Sequence, residues 1–254
     1  MVFRMEFKGK KVLITGGASG IGKALVLDLI QKGCYIGIFD IDRNACNEIS
    51  KDFDGKVKIW TPDISNPAAV DKSCIDAFES GFCPDILINN AGIIHSEPLV
   101  NFMKSGDKVH SRETWRKTIA TDLDSVFYVT GRVVENMIKR RIKGIVVSIS
   151  SISSRGNAGQ SAYSAAKAGV NALTLTWAKE LGPLGLRFVA ISPGFINTDS
   201  TKRSLNENQI NKIKKLIPLG HLGNPDSIIE AVNFVISNDY INGTILEVDG
   251  GMIL

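Results

Sequence analysis

Short apolar runs, rich in β-branched residues, alternate along this chain with longer amphipathic stretches. That alternation constrains the fold more than any other feature. KVLIT (11–15), YIGIFD (35–40), VKIW (57–60), DILIN (85–89), GIVVSIS (144–150), LRFVAI (186–191) and GTILEVD (243–249) read as strands. Helical patterns lie between them at 21–33, about 67–80, roughly 113–139, 161–182, about 207–216 and 225–237. Strands this apolar must be buried on both faces. Their alternation with helices predicts right-handed crossovers and a parallel sheet covered by two helix layers. No repeat, low-complexity block or Pro/Gly-rich linker divides the chain, so one domain over 1–254 is expected. In such sheets ligands bind beyond the carboxyl ends of the strands, which directs attention to the residues just after each strand.

Composition narrows the function classes. The chain is 44% hydrophobic and 22% charged, with a formal charge of +4. The basic clusters, 139–143 and 212–215, read as solvated helix ends, so no nucleic-acid partner is expected. Four cysteines (34, 46, 74, 83) lack C-x-x-C spacing, and three histidines (95, 110, 221) are scattered. This predicts no metal site, no disulfide framework, and reduced thiols in a cytoplasmic protein. MVFRMEFKGKK at the start carries no secretion signal, and no apolar run is long enough to span a membrane.

TGGASGIG (15–22) follows the first strand and opens a helix. Gly16, Gly20 and Gly22 would let the backbone approach a pyrophosphate, and the helix start offers free N–H groups with a positive dipole end. Asp40 ends the second strand, 20 residues after Gly20. A carboxylate there can accept from ribose hydroxyls and would repel a 2′-phosphate. Ala18 and Ser19 place no basic side chain before Gly20, so NAD is favoured, with NADP as the alternative because Arg43 lies close in sequence. Asp63 follows the third strand and could accept from an adenine amino group. Asn89-Asn90-Ala91-Gly92 follows the fourth, where small residues allow a close pass beside the adenosine and an asparagine can also tie strand ends together.

Tyr163 and Lys167 lie four apart in a helical pattern. Four residues turn about 400°, which sets both on one face about 6 Å apart. A free tyrosine is a poor base at neutral pH, and lowering its pKa by about 3 units takes roughly 4 kcal/mol. A nearby ammonium in a shielded site can supply that order of energy. Tyrosinate could then take a proton from an alcohol, or the phenol could give one to a carbonyl.

TGGASGIG (15–22), NNAG (89–92), YSAAK (163–167), PG (193–194) and VDGG (248–251) occur in the order and context of the short-chain dehydrogenase/reductase family. The resemblance runs nearly end to end and is greatest to 3-oxoacyl-carrier-protein reductases and NAD-dependent alcohol dehydrogenases. It implies a Rossmann-type, doubly wound three-layer α/β/α sandwich with a seven-stranded parallel sheet. It also implies hydride transfer between a nicotinamide and a small carbonyl or alcohol, in a homotetramer or homodimer. By the same resemblance Tyr163 is the acid/base, and Lys167 lowers its pKa and holds the nicotinamide ribose. Cofactor contacts are implied for Ser19, Ile21, Ile41, Ile64 and Ala91, and for Pro193, Gly194, Ile196 and Thr198 after the sixth strand.

The resemblance also marks two departures. Where the family has an asparagine in the long helix, this chain has Asp122. Its charge would tend to raise the tyrosine pKa. Second, 23 residues separate Gly92 from Trp115, which is longer than expected. The extra piece, within 95–113, is a specificity element, an oligomer contact or a tolerated surface insertion. Substrate loops are expected at about 93–113 and 195–220, with 200–219 as a lid. A serine after the fifth strand should steady the substrate oxygen. Counting back thirteen residues from Tyr163 gives Ser150, whereas counting along the strand from Gly144 gives Ser151. Strand phase favours Ser151, because it decides which side chain faces the site. Two further readings are a sugar epimerase or dehydratase, which usually needs a longer C-terminal domain, and a nucleotide-sensing regulator, which would be expected to lack the Tyr/Lys pair.

Overall fold

The structure is a computed structural model and describes residues 5–53, 55–198, 201 and 206–253. Seven parallel strands form one sheet in the order β3-β2-β1-β4-β5-β6-β7. They are β1 (Lys11–Thr15), β2 (Tyr35–Phe39), β3 (Val57–Trp60), β4 (Ile86–Asn89), β5 (Ile145–Ile149), β6 (Arg187–Pro193) and β7 (Thr244–Val248). The chain order reverses between β1 and β4, so the ligand crevice of such a sheet opens at their carboxyl ends.

Strand phase assigns alternate side chains to opposite layers. Val12 and Ile14 of β1, with Ile86 and Ile88 of β4, pack under α1 (Gly20–Gln31) and α8 (Pro225–Ser237). Leu13 and Leu87 point the other way, into a second cluster with α3 (Pro67–Glu79), α5 (Ser125–Lys139) and α6 (Ser161–Leu181). These side chains are fully buried. Burial of each stabilises by about 1.5–3 kcal/mol, which is why the apolar runs were readable as two-faced strands.

Three features differ from the sequence expectation. A short polar helix, α2 (Arg43–Ser50), follows β2 and buries only Cys46 and Ile49. It is too short and too polar to stand out as an apolar run; Asp42 caps it by accepting the Ala45 N–H. The long helix expected over 113–139 is present, but it runs as α4 (Arg112–Ile119) and α5 with a π-helical turn at Ala120–Asp124 between them. The third is a small antiparallel bridge between Val100 and Val109, which makes the inserted piece a hairpin. Of the expected lid, 200 and 202–205 lie outside the described residues; Glu207–Leu216 forms α7, capped reciprocally by Asn206 and Gln209. No helix among the described residues is long and apolar enough to cross a membrane.

Candidate active site

The glycine-rich turn joins β1 to α1. Gly16 has φ +65°, and a Cβ there would stand 2.8 Å from the Ala91 Cα. A Cβ on Gly22 would lie 2.0 Å from the Gly16 carbonyl oxygen. These two glycines are demanded by the turn itself. Gly20 differs: its φ is +52° and nothing stands within 4 Å of its Cβ position, so space opens in front of the helix. Ser19 precedes α1 and makes no side-chain cap, which leaves the first-turn N–H groups without a side-chain acceptor. Open space, positive-φ glycine and uncapped donors together fit the pyrophosphate of a dinucleotide. Ile21 is half-buried behind this turn, against the core.

Asn90 braces the same turn. Its Nδ2 donates to the carbonyls of Thr15 and Gly16 at 3.1 and 2.9 Å. The Asn90 and Ala91 N–H groups both donate to Thr15 Oγ1. The tie between strand ends therefore accounts for the Asn90 amide donor; Thr15 as its partner was not read from the sequence. Asn89 donates across the sheet end to Thr130 Oγ1 at 2.9 Å.

Asp40 stands at the end of β2. Its Oδ2 accepts the Ala18 N–H at 2.9 Å and its Oδ1 accepts the Asp42 N–H at 3.0 Å. The carboxylate is thus fixed beside the glycine turn, where an adenosine ribose would arrive. Ile41 next to it is exposed. Asp63 closes a local turn by accepting from the Ser65 N–H and hydroxyl, and Ile64 packs against the core. Beyond β6, a Cβ on Gly194 would lie 2.7 Å from the Asp249 Cα, and the Gly194 N–H donates to Val248. Pro193 ends the strand. Ile196 is buried; its carbonyl accepts from the Thr198 N–H and from Thr201 Oγ1, while Thr198 Oγ1 lies 3.1 Å from Thr201 Oγ1.

The polar centre lies across the crevice, at the end of β5. Tyr163 and Lys167 sit in the first turns of α6 and are 7% and 4% exposed. The Lys167 ammonium is 5.6 Å from the Tyr163 ring centre and donates to the Ile149 carbonyl at 3.0 Å. The Ser151 side chain lies beside the Tyr163 phenol and lowers its pKa. Ser151 Oγ also accepts the Ser153 N–H at 3.1 Å, where it caps a 3-10 turn (Ile152–Arg155). Ser150 points elsewhere: its hydroxyl approaches the Lys167 backbone carbonyl at 3.4 Å. Asp122, 0% exposed, reaches in from the π-helical turn. Its Oδ1 accepts the Ile93 N–H at 2.8 Å, and its Oδ2 has no partner. A Cβ on Gly92 would lie 3.3 Å from Asp122 Oδ1 and 3.4 Å from the Lys167 ammonium, so both flank one point.

Burial governs the protonation states. Together with Asp122 it pushes the Tyr163 phenol up to about 12, against a lowering by Ser151. Lys167, whose ammonium donates to the Ile149 carbonyl, is not among the groups that shift the phenol. Burial also raises the Asp122 carboxyl to about 6, against the pull of Lys167 and the Ile93 N–H. Lys167 is lowered by burial and held up by Asp122. Among the described residues no three His, Cys, Asp or Glu side chains are grouped to hold a metal ion.

A family model described as enoyl-(acyl carrier protein) reductase matches residues 16–253. The chain belongs to the short-chain dehydrogenase/reductase family. As a short-chain dehydrogenase/reductase it is an oxidoreductase acting on a CH–OH group with a nicotinamide cofactor. It is 35% identical over 256 residues to a 3-oxoacyl-(acyl-carrier-protein) reductase of Thermotoga maritima, covering 98% of this chain and all of that one. It is 34% identical to a (3R)-3-hydroxyacyl-CoA dehydrogenase of Homo sapiens, covering 95% of each. Among solved structures, one provisionally described as a gluconate dehydrogenase from Agrobacterium tumefaciens superposes with a TM-score of 0.89 at 28% identity. That match covers 99% of this short-chain dehydrogenase/reductase and all of the other chain.

Proposed function

We propose that this chain interconverts a secondary alcohol and its ketone with NAD(H), and that its substrate is a 3-oxoacyl thioester or the corresponding 3-hydroxyacyl thioester. The observation that carries the chemistry is the buried Tyr163 phenol, with Ser151 beside it and Lys167 one turn further on. The cofactor supplies or accepts the hydride. Tyr163 moves the proton: protonated at neutral pH, it is placed to donate to a carbonyl oxygen, which Ser151 would steady. In the reverse direction tyrosinate takes the proton from the alcohol. Lys167 would hold the nicotinamide ribose. Gly16, Ser19, Gly20 and Gly22 would cradle the pyrophosphate.

The thioester reading draws on two relatives, each about a third identical over nearly the whole chain, whose names specify 3-oxoacyl and 3-hydroxyacyl substrates. Preference for NAD over NADP rests on Asp40, a carboxylate held where a 2′-phosphate would have to sit. The family resemblance further supports a homotetramer, which light scattering of the purified protein would test.

The decisive experiment mixes purified protein with NADH and a panel of carbonyls that includes acetoacetyl thioesters. Oxidation of NADH on the thioester is expected. Cofactor binding with no turnover on any carbonyl would leave a nucleotide-binding protein, not a reductase. Faster turnover with NADPH than with NADH at equal concentration would overturn the cofactor assignment.

A further inference from the structure

The inserted segment is not an appendage. Its root, Gly92-Ile93, touches Asp122 and Lys167. A few residues on, the Glu97 N–H donates to the Gly159 carbonyl at 2.7 Å, and Gln160 Nε2 donates to Ser96 Oγ at 3.2 Å. Gln160 immediately precedes α6, three residues before Tyr163. Gln160 Oε1 also accepts the Ser153 hydroxyl at 2.9 Å, and the Ser153 N–H donates to Ser151 Oγ. A continuous hydrogen-bonded path therefore runs from the insertion to the serine beside the Tyr163 phenol.

The Glu97 side chain closes the insertion on itself. Its Oε2 accepts the Ser111 N–H at 3.2 Å, at the cap of α4. The same oxygen lies 3.5 Å from His95 Nε2 and 3.6 Å from His110 Nδ1, and Oε1 lies 3.8 Å from the Lys104 ammonium. Between these anchors the hairpin closes, with the His110 N–H donating to Leu99 and the Asn101 N–H to Lys108. The carboxylate is mostly shielded and is held below its ordinary range, first by the Ser111 N–H and then by His110, His95 and Lys104. One carboxylate thus gathers both ends of the hairpin, while its own backbone is fastened to the loop that starts the Tyr163 helix.

We propose that Glu97 is a positioning residue: it clamps the 95–111 hairpin to the start of the Tyr163 helix and makes the insertion a fixed wall of the substrate site. The substrate part of this proposal rests on the reductase reading above. On that reading, Glu97 governs how well a substrate is held, not how fast the held substrate reacts.

Full-length Glu97→Ala and Glu97→Gln proteins test it by two readouts. Hydrogen exchange on the protein without substrate should accelerate at least tenfold in Glu97→Ala, both at the hairpin amides of Asn101 and His110 and across the path at Ser153. Glu97→Gln keeps an oxygen for the Ser111 N–H and should recover part of that protection. With an acetoacetyl thioester, KM should rise about tenfold in Glu97→Ala while kcat stays within twofold and NADH affinity is unchanged. Gln160→Ala, which cuts the path from the other side, should raise KM in the same way. Acceleration confined to the hairpin, with Ser153 still protected, would overturn the clamp, as would an unchanged KM in a loosened hairpin. If the wild-type protein turns over no thioester, the reductase reading fails on its own, and exchange at Ser153 decides the clamp.

Discussion

Asp122 Oδ1 accepts the Ile93 backbone N–H at 2.8 Å, so a buried carboxylate occupies the space between the root of the insertion and the Tyr163–Lys167 pair. Its charge raises the Tyr163 pKa. Asparagine keeps an oxygen for Ile93 and removes the charge, so Tyr163 in Asp122→Asn should deprotonate at lower pH. Alcohol oxidation, which needs tyrosinate, should then move toward acid, with kcat near the optimum retained within severalfold. Because Asp122 itself titrates at about 6, the two pH profiles should differ above that pH and converge below it. Coincident profiles above pH 7 would place Asp122 outside the proton path.

The two serines predict opposite alanine phenotypes. Ser151 lies beside the Tyr163 phenol and lowers its pKa, whereas Ser150 turns back onto the Lys167 carbonyl. Ser151→Ala should lose on the order of a hundredfold in kcat, the scale of one oxyanion-directed donor. Ser150→Ala should stay within severalfold. Steady-state kinetics with NADH would show it, and the reverse ranking would reassign the serine.

Gly22→Ala tests the nucleotide turn. The new Cβ would stand 2.0 Å from the Gly16 carbonyl oxygen and 2.5 Å from Asn90 Nδ2, and backbone on one side cannot yield cheaply. NADH binding by fluorescence titration should weaken by tenfold or more, and overpacking of this kind costs about 1–3 kcal/mol of stability. Gly20→Ala meets no neighbour and should keep stability better while still disturbing the cofactor, apart from strain at its positive φ.

The sheet was legible because its strands are apolar on both faces: Leu13 and its neighbours Val12 and Ile14 need opposite partners, and only two helix layers provide them. The turn glycines and the Tyr163–Lys167 pair were legible because their spacing is local. The π-helical turn at Ala120–Asp124 was not, because no local spacing marks it; in the fold it carries Asp122 to the Ile93 N–H. The Glu97 cluster was invisible for a similar reason. His95, Glu97 and His110 meet only once the Val100–Val109 hairpin has closed. The surroundings of the Tyr163 phenol were only half legible, since spacing shows the nearby ammonium but not the depth of burial.

The central claim is that Tyr163 moves the proton while hydride passes between nicotinamide and substrate carbon. The most direct measurement compares wild-type protein with Tyr163→Phe, following NADH absorbance with an acetoacetyl thioester and NADH affinity in parallel. Phenylalanine keeps the buried ring and removes the hydroxyl, so NADH affinity should hold within about twofold. Turnover should fall by at least a hundredfold, the lower end of what a positioned general acid contributes. Turnover within tenfold of wild type, at unchanged cofactor affinity, would contradict the account.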